Sequence, residues 1–430
     1  MLRLSILYNR RRGKQNRFTK ILGPGLITGA ADDDPSGIAT YSQAGAAYGF
    51  GQLWSIALCL PLMIAVQECC ARIGSVTGQG LVKVTSRIYS KKTVYGVVFL
   101  VVIANVINIG ADIAAIGSAL NLFIPLPVIV LSTISVLVIL ALEIFIGYHT
   151  YSKYLKVLAL TLFSYVITAI IVKPDWLEVI KSFVIPKISW SADYWYVIVA
   201  LIGTTISPYM FFWQAAEEVE ERKYAEKSGK SVRDLKTIRR DTSIGMTASQ
   251  LGSMFMIITT AVVLHQNGIT SIGTAADAAK ALEPLVSGSA NAGLYAKIIF
   301  AIGIIGMGLL GIPVLAGSVA YAVSDVQGWR QGLDYKFSQA KAFYLVIILA
   351  TLAGWLMNLI GVDPIKGLVF AAVINGLVSI PLIYLLSKIS KNENVLGENV
   401  GGLLSRVMLK VTFYVTLFSG LVLIVATLRA

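Results

Sequence analysis

Residues 31–46 read ADDDPSGIATYSQAGA, and this stretch places three consecutive aspartates and a proline inside an otherwise apolar run. Asp32, Asp33 and Asp34 cannot all face lipid, because a carboxylate buried in a membrane is costly and successive helical side chains fan out by about 100°. Pro35 has no N–H, so the helix can unwind here and free backbone carbonyls. Carboxylate, carbonyl and water oxygens are the ligands of a hard cation such as Mg²⁺. The stretch predicts a broken helix that binds a cation.

The composition around this stretch is that of a membrane protein. Of 430 residues, 56% are hydrophobic and only 14% are charged, whereas a soluble domain has about 25% charged residues. The mean hydropathy of +0.74 agrees. Apolar runs long enough to span a bilayer recur along the chain. We predict an all-α polytopic membrane protein with eleven spans, at about 21–48, 51–72, 94–121, 127–148, 157–173, 195–220, 243–265, 292–322, 342–361, 366–387 and 407–428.

The formal net charge of +13 is explained by topology and not by nucleic-acid binding. If the N-terminus is cytoplasmic, most lysines and arginines fall on the inner side, including the clusters in 10–20 and 222–240, as the positive-inside rule requires. We expect a multi-pass protein of the cell membrane with an extracellular C-terminus. Its partner is the lipid bilayer, and a monomer is plausible. The polar segment 220–241 is expected to form a short helix on the cytoplasmic surface.

A second break recurs in the second half of the chain. Residues 203–214 read GTTISPYMFFWQ, with Ser207-Pro208 at mid-span. Paired broken helices in two halves of opposite topology indicate an inverted-repeat transporter, although two ordinary proline kinks would give the same pattern. We therefore divide the chain into a basic cytoplasmic N-terminus, two inverted repeats and an additional eleventh span, at 1–20, 21–173, 195–388 and 405–430.

Several motifs around the breaks resemble those of one transporter family. The first span has D-P-S-G at 34–37, A-T at 39–40 and Q-A-G-A at 43–46, and QECCARIGSVTG follows at 67–78. The third span has GADIAAIG at 110–117. These residues resemble the NRAMP family of divalent-metal transporters. The resemblance implies a LeuT-type fold with five-plus-five inverted repeats and an eleventh helix, and metal import by alternating access.

The resemblance also implies a ligand set, from which this chain departs. Members that take Mn²⁺ and Fe²⁺ use an aspartate, an asparagine, a backbone carbonyl and a methionine sulfur. Asp34 matches the aspartate, Gly37 stands in place of the asparagine, Thr204 occupies the carbonyl position and Ser207 replaces the methionine. A thioether favours transition metals over alkaline-earth ions. The loss of the thioether and of the asparagine leaves a hard site with room for a partly hydrated ion.

The triplet of aspartates fits such an ion, because Mg²⁺ usually keeps several waters. Asp33, and with it Asp32, could hydrogen-bond those waters. The pattern resembles the NRAMP-related magnesium transporters. Proton coupling looks weakened, because Tyr209 and Gln214 stand where proton-coupled members have histidines. The third-span aspartate is kept as Asp112, either in a proton pathway or in a polar network.

Two further residues are candidates for the ion pathway. Glu217, in QAAEEVEER, belongs either to a solvated helix end or to an acidic cytoplasmic vestibule. Asn375 in the tenth span either gates or hydrates the ion, or makes an ordinary helix–helix hydrogen bond.

These observations predict a secondary transporter of Mg²⁺, and also of Mn²⁺, that is not obligately proton-coupled. Two alternatives remain: a proton-coupled Mn²⁺/Fe²⁺ importer and a sodium-coupled amino-acid carrier. Three aspartates would repel the carboxylate of an amino acid, which disfavours the second. We find no catalytic or nucleotide-binding motif, so we expect neither an enzyme nor a cofactor; the metal ion is the substrate.

Overall fold

A computed structural model describes residues 24–145, 162–229, 231–289, 291–333, 335–361 and 363–429, and every regular element in these ranges is a helix. The first predicted span is two helices, α1 (Pro24–Asp32) and α2 (Pro35–Tyr48), separated by Asp33 and Asp34. The sixth is likewise divided, into α8 (Ala192–Thr205) and α9 (Pro208–Lys227). The predicted segment 1–20, and the residues that join the fourth and fifth spans, lie outside the described residues.

The remaining principal helices follow the hydropathy of the chain closely. They are α3 (Leu53–Thr77), α4 (Lys91–Asn121), α5 (Val128–Phe145), α6 (Phe163–Ile171), α7 (Trp176–Val184), α10 (Leu235–Val263), α11 (Ala292–Gln327), α12 (Lys341–Met357), α13 (Pro364–Ile389) and α14 (Leu403–Arg429). Eight helical segments of the described ranges are long and apolar enough to cross a membrane, and α12 is a shorter apolar helix. Large apolar side chains on the outside of the bundle are exposed, as expected of a lipid-facing surface, for example Phe99, Leu137 and Leu428.

The prediction of a separate surface helix at 220–241 is wrong. Helix α9 continues to Lys227, and α10 begins at Leu235. The Asp234 side chain caps α10 by accepting from the Thr237 N–H at 3.1 Å, which is the usual role of an aspartate at this position. The charged residues therefore extend two membrane helices beyond the apolar core.

Glycines set the close approach of helices next to both breaks. A Cβ at Gly25 or Gly29 of α1 would overlap the backbone of Thr242 or Gly245 in α10. In the second half, a Cβ at Gly203 of α8 would overlap the backbone of α13. Small residues of this kind let membrane helices approach closely, and here they hold the unwound segments between neighbouring helices.

Candidate metal site

The first break is organised by Asp34, which begins α2. Its Oδ1 accepts from the Gly37 N–H at 2.9 Å and from the Ser36 hydroxyl at 2.8 Å. Pro35 occupies the first helical position, where its missing N–H costs nothing. The aspartate is therefore fixed both by its backbone position and by one of its own oxygens. Gly37, the residue in place of the family's asparagine, supplies its N–H to this cap.

The other oxygen of Asp34 faces the centre of the bundle. Oδ2 accepts from Nδ2 of Asn108 at 3.0 Å and from the hydroxyl of Tyr209 at 3.3 Å. The Tyr209 hydroxyl also lies 3.1 Å from the backbone oxygen of Ala31. Asp34 and Tyr209 are each 1% exposed. This carboxylate is thus buried and hydrogen-bonded, and it joins α1, α4 and α9.

Asn108 is a site residue that the sequence analysis missed. It lies on α4 with Asn105 and Asp112, at spacings of three and four residues, which put all three on one face of an apolar helix. The Asn105 amide donates to the backbone oxygen of Leu315 at 3.1 Å. Polar residues repeated at helical spacing inside a membrane span were the signal that could have identified this face.

Asp112 lies beside Asp34. Both pack against Gly311 of α11, where a Cβ would lie 3.2 Å from Cβ of Asp34 and 4.0 Å from Oδ2 of Asp112. Asp112 is fully buried, and neither of its carboxylate oxygens has a hydrogen-bond partner among the described residues. Two buried carboxylates close together repel each other when both are ionised, so a cation bound between them would be stabilised.

The second break contributes oxygens from Thr204 and Ser207. The Ser207 hydroxyl donates to the backbone oxygens of Gly203 at 2.7 Å and of Thr204 at 2.8 Å. The Thr204 hydroxyl has no hydrogen-bond partner among the described residues, and a Cβ at Gly37 would lie 3.3 Å from it. The structure thus brings Thr204 next to Gly37 across the two breaks. Ser207 therefore bonds to the Thr204 backbone oxygen, which the sequence analysis assigned to the ion.

Asp32 and Asp33 have different neighbours from Asp34. The Ser249 hydroxyl of α10 lies 2.7 Å from Oδ2 of Asp32 and 3.3 Å from Oδ1 of Asp33, and the Ser253 hydroxyl lies 3.3 Å from the same Oδ1. The unwound backbone therefore sends one carboxylate towards α4 and α9 and the other two towards α10.

Gln214 and Glu217 lie further along α9. Nε2 of Gln214 donates to Oε1 of Glu218 at 3.2 Å. Glu217 is 4% exposed and Glu218 is 2% exposed, so these two glutamates are not part of a solvated helix end.

Asn375 of α13 is fully buried, and its amide has no hydrogen-bond partner among the described residues. Its neighbour Gly376 packs against α8 beside the second break.

An ionic cluster lies at the N-terminal end of α1. The Gly25 N–H donates to Oδ2 of Asp241 at 2.9 Å, and Nη2 of Arg233 lies 3.1 Å from the same oxygen. Arg233 also lies 3.9 Å from Oε1 of Glu218. The first turn of α1 is therefore tied to α9 and α10 by charges that lie in one buried cluster.

A fold with two broken helices that meet around buried polar groups defines a class of membrane transporter. The description "Natural resistance-associated macrophage protein-like", that of the Nramp family, matches residues 25–426. The chain belongs to the Nramp family. It is a multi-pass membrane protein, as the sequence analysis predicted.

Two curated bacterial relatives share the name divalent metal cation transporter MntH. The divalent metal cation transporter MntH of Caldanaerobacter subterraneus subsp. tengcongensis is 24% identical over 416 residues, which cover 95% of this chain and 93% of the relative. MntH of Klebsiella pneumoniae is 26% identical over 391 residues, covering 88% and 87%.

Solved structures share the fold. A crystal structure of the Eremococcus coleocola manganese transporter superposes with a TM-score of 0.74 at 17% identity, covering 96% of this chain and 88% of that one. The transporter MhsT in complex with L-phenylalanine superposes with a TM-score of 0.60 at 11% identity, covering 96% and 98%. The predicted all-α fold of LeuT type is confirmed, and the division into inverted repeats at 21–173 and 195–388 with an additional span at 405–430 stays a prediction.

Proposed function

We propose that this chain carries divalent metal cations into the cytosol by alternating access, with Mg²⁺ as the preferred ion and Mn²⁺ as a second substrate. Family membership and the names of the curated relatives support divalent metals as the substrate class. The observation that carries the preference for Mg²⁺ is the chemistry around Asp34. The groups that contact its carboxylate come from Ser36, Gly37, Asn108 and Tyr209, and none contains sulfur.

Hard oxygen donors suit Mg²⁺, and the absence of a thioether removes a preference for softer ions. Asp34 would bind the ion through Oδ2, and the Thr204 backbone oxygen would face it from the second break. Retained waters would fill the remaining positions, since Mg²⁺ is reluctant to dehydrate. Asn108 and Tyr209 hold the carboxylate in place until the ion arrives.

Manganese as the main substrate is the second candidate, and the likeness to the Eremococcus coleocola manganese transporter favours it. Competition uptake separates the two. Purified full-length protein in liposomes should take up Mg²⁺, and excess Mg²⁺ should inhibit Mn²⁺ uptake at comparable concentrations. A preference for Mn²⁺ over Mg²⁺ by orders of magnitude would overturn the assignment to Mg²⁺ and leave the divalent-metal class intact.

The orientation that we propose places the N-terminus in the cytoplasm and the C-terminus outside, on the basis of the distribution of lysine and arginine. In this orientation the cluster of Arg233, Asp241 and Glu218 lies on the cytoplasmic side of the break. A protease site added after Ala430 should be cut in intact cells, and protection of that site would reverse the assignment.

A further inference from the structure

Two of the three aspartates form an arrangement that the site around Asp34 does not use. Asp32 is fully buried and Asp33 is 4% exposed, and both accept from the Ser249 hydroxyl of α10. Ser253, one helical turn further on, adds a second hydroxyl at 3.3 Å from Oδ1 of Asp33. Oδ1 of Asp32 has no hydrogen-bond partner among the described residues.

A cavity of about 380 Å³ adjoins Asp33 of this pair. Asp33 and Ser249 line it, together with Gly29, Gly245 and Gly252 and several apolar side chains. Oδ2 of Asp33 lies 3.6 Å from where a Cβ on Gly252 would be. The glycine therefore leaves space in front of a carboxylate oxygen, and the apolar wall lowers the local dielectric and strengthens any electrostatic interaction there.

Among the described residues, no positively charged side chain is paired with Asp32 or Asp33. Two adjacent carboxylates in a buried place are costly unless a cation compensates them. The two serines can offer only hydroxyls, which orient the carboxylates but do not neutralise them.

We propose that Asp32, Asp33, Ser249 and Ser253 form a second cation site, separate from the site at Asp34, that takes a divalent cation with part of its water shell. Two carboxylates match the charge of a divalent ion. The oxygens are hard ligands, and the cavity has room for waters that complete the coordination. The site lies between α1 and α10, so an ion bound there bridges the unwound segment and α10.

The test counts bound ions on purified full-length protein in lipid nanodiscs, with Mn²⁺ as the probe and equilibrium dialysis as the measurement. The wild type should bind two Mn²⁺ per chain. Asp33→Asn and Asp34→Asn should each bind one, and the double variant should bind none. A wild type that binds one Mn²⁺, with Asp33→Asn unchanged, would overturn the second site; this is also the result expected if the two carboxyls only share a proton.

A milder variant guards against a folding defect in Asp33→Asn. The double change Ser249→Ala and Ser253→Ala should weaken one of the two Mn²⁺ affinities by at least tenfold and leave the other unchanged. Ser135→Ala is the matched control, because the hydroxyl of this buried serine bonds only to the Leu131 backbone oxygen in its own helix. Equal affinities in the double variant and in the control would also overturn the site.

This inference takes its class of ion from the proposed function, but the two fail differently. Two bound Mn²⁺ per chain without any uptake into liposomes would overturn the transport function and leave the second site standing. Normal uptake with a single bound ion that depends on Asp34 alone would overturn only the second site.

Discussion

The hydroxyl of Tyr209 lies 3.3 Å from Oδ2 of Asp34 and 3.1 Å from the backbone oxygen of Ala31. This one group joins the start of α9 to both sides of the first break. A phenol has a single proton to donate, so the two acceptors share it. The family resemblance implies a histidine at the position of Tyr209, and the phenol found here contacts the carboxylate without being an efficient proton carrier near neutral pH.

Tyr209→Phe should tighten Mg²⁺ binding. The change removes a donor that occupies the oxygen proposed to bind the ion, and a net hydrogen bond of about 1 kcal/mol corresponds to roughly fivefold in affinity. Titration calorimetry on the purified variant measures this. Tyr344→Phe is the control, since its hydroxyl donates to the Tyr335 backbone oxygen at 2.7 Å, away from the breaks. Weaker binding in Tyr209→Phe would overturn this expectation and mean that the hydroxyl either positions the carboxylate for the ion or is itself a ligand.

Asp34→Asn should abolish uptake while the protein still folds. Asparagine is as good a helix cap as aspartate, so α2 should still begin at Pro35, and the variant removes charge with little change of shape. Initial rates in liposomes and the melting temperature together check this. Asp277→Asn, on an exposed surface helix next to Lys280, should transport normally. Wild-type uptake rates in a well-folded Asp34→Asn variant would show that transport does not require the Asp34 carboxylate.

The sequence predicted the features of this site that depend on neighbouring residues, but not the contacts between residues far apart in the chain. The two breaks were predictable because Pro35 and Pro208 interrupt apolar runs, and helix capping at Asp34 is set by its immediate neighbours. The contact between Asp34 and Asn108 joins residues 74 apart. Which way each aspartate turns is decided by packing between helices, which hydropathy does not encode.

The charged segment 220–241 shows the same limit of prediction from sequence. Its charged composition suggested a separate surface helix, yet the pair of Arg222 and Glu226, 3.0 Å apart at i,i+4, lies in the last turns of α9. Such pairs stabilise a helix wherever it lies. Composition alone therefore did not distinguish an independent helix from the extension of a membrane span.

Transport should proceed without a fixed proton stoichiometry. Gln214, at the second position where the family resemblance implies a histidine, donates from its amide to Glu218 and cannot titrate. Liposomes that contain a pH-sensitive dye should show Mg²⁺ uptake without internal acidification when the membrane potential is clamped. A metal-dependent fall in internal pH that scales with the amount of metal taken up would show that Asp112 or a buried glutamate carries protons.

Ser207→Met should shift selectivity towards soft ions. The serine hydroxyl now holds the Gly203 and Thr204 carbonyls, so the change both frees a carbonyl and introduces sulfur. We expect the ratio of Cd²⁺ to Mg²⁺ affinity to rise about tenfold, which is about 1.4 kcal/mol. Ser207→Ala frees the same carbonyls without sulfur and separates the two effects. An equal shift in both variants would show that the carbonyls, and not the thioether, set the preference.

Gly29→Ala should loosen the attachment of α1 to α10. An added Cβ would overlap the Gly245 backbone, and because backbone cannot move aside as a side chain does, the helices must separate, at a cost of about 1–3 kcal/mol. The Gly25 amide would then move away from Asp241, with which it now bonds at 2.9 Å, so the amides of α1 should exchange hydrogen faster. Hydrogen exchange by mass spectrometry measures this rate, and we also expect a lower melting temperature.

Gly96→Ala is the matched control in a long helix, because a Cβ there meets nothing within 4 Å. If α1 exchanges at the same rate in both variants, the glycine contact does not hold this end of the broken helix, and the ionic cluster around Arg233 must do so alone.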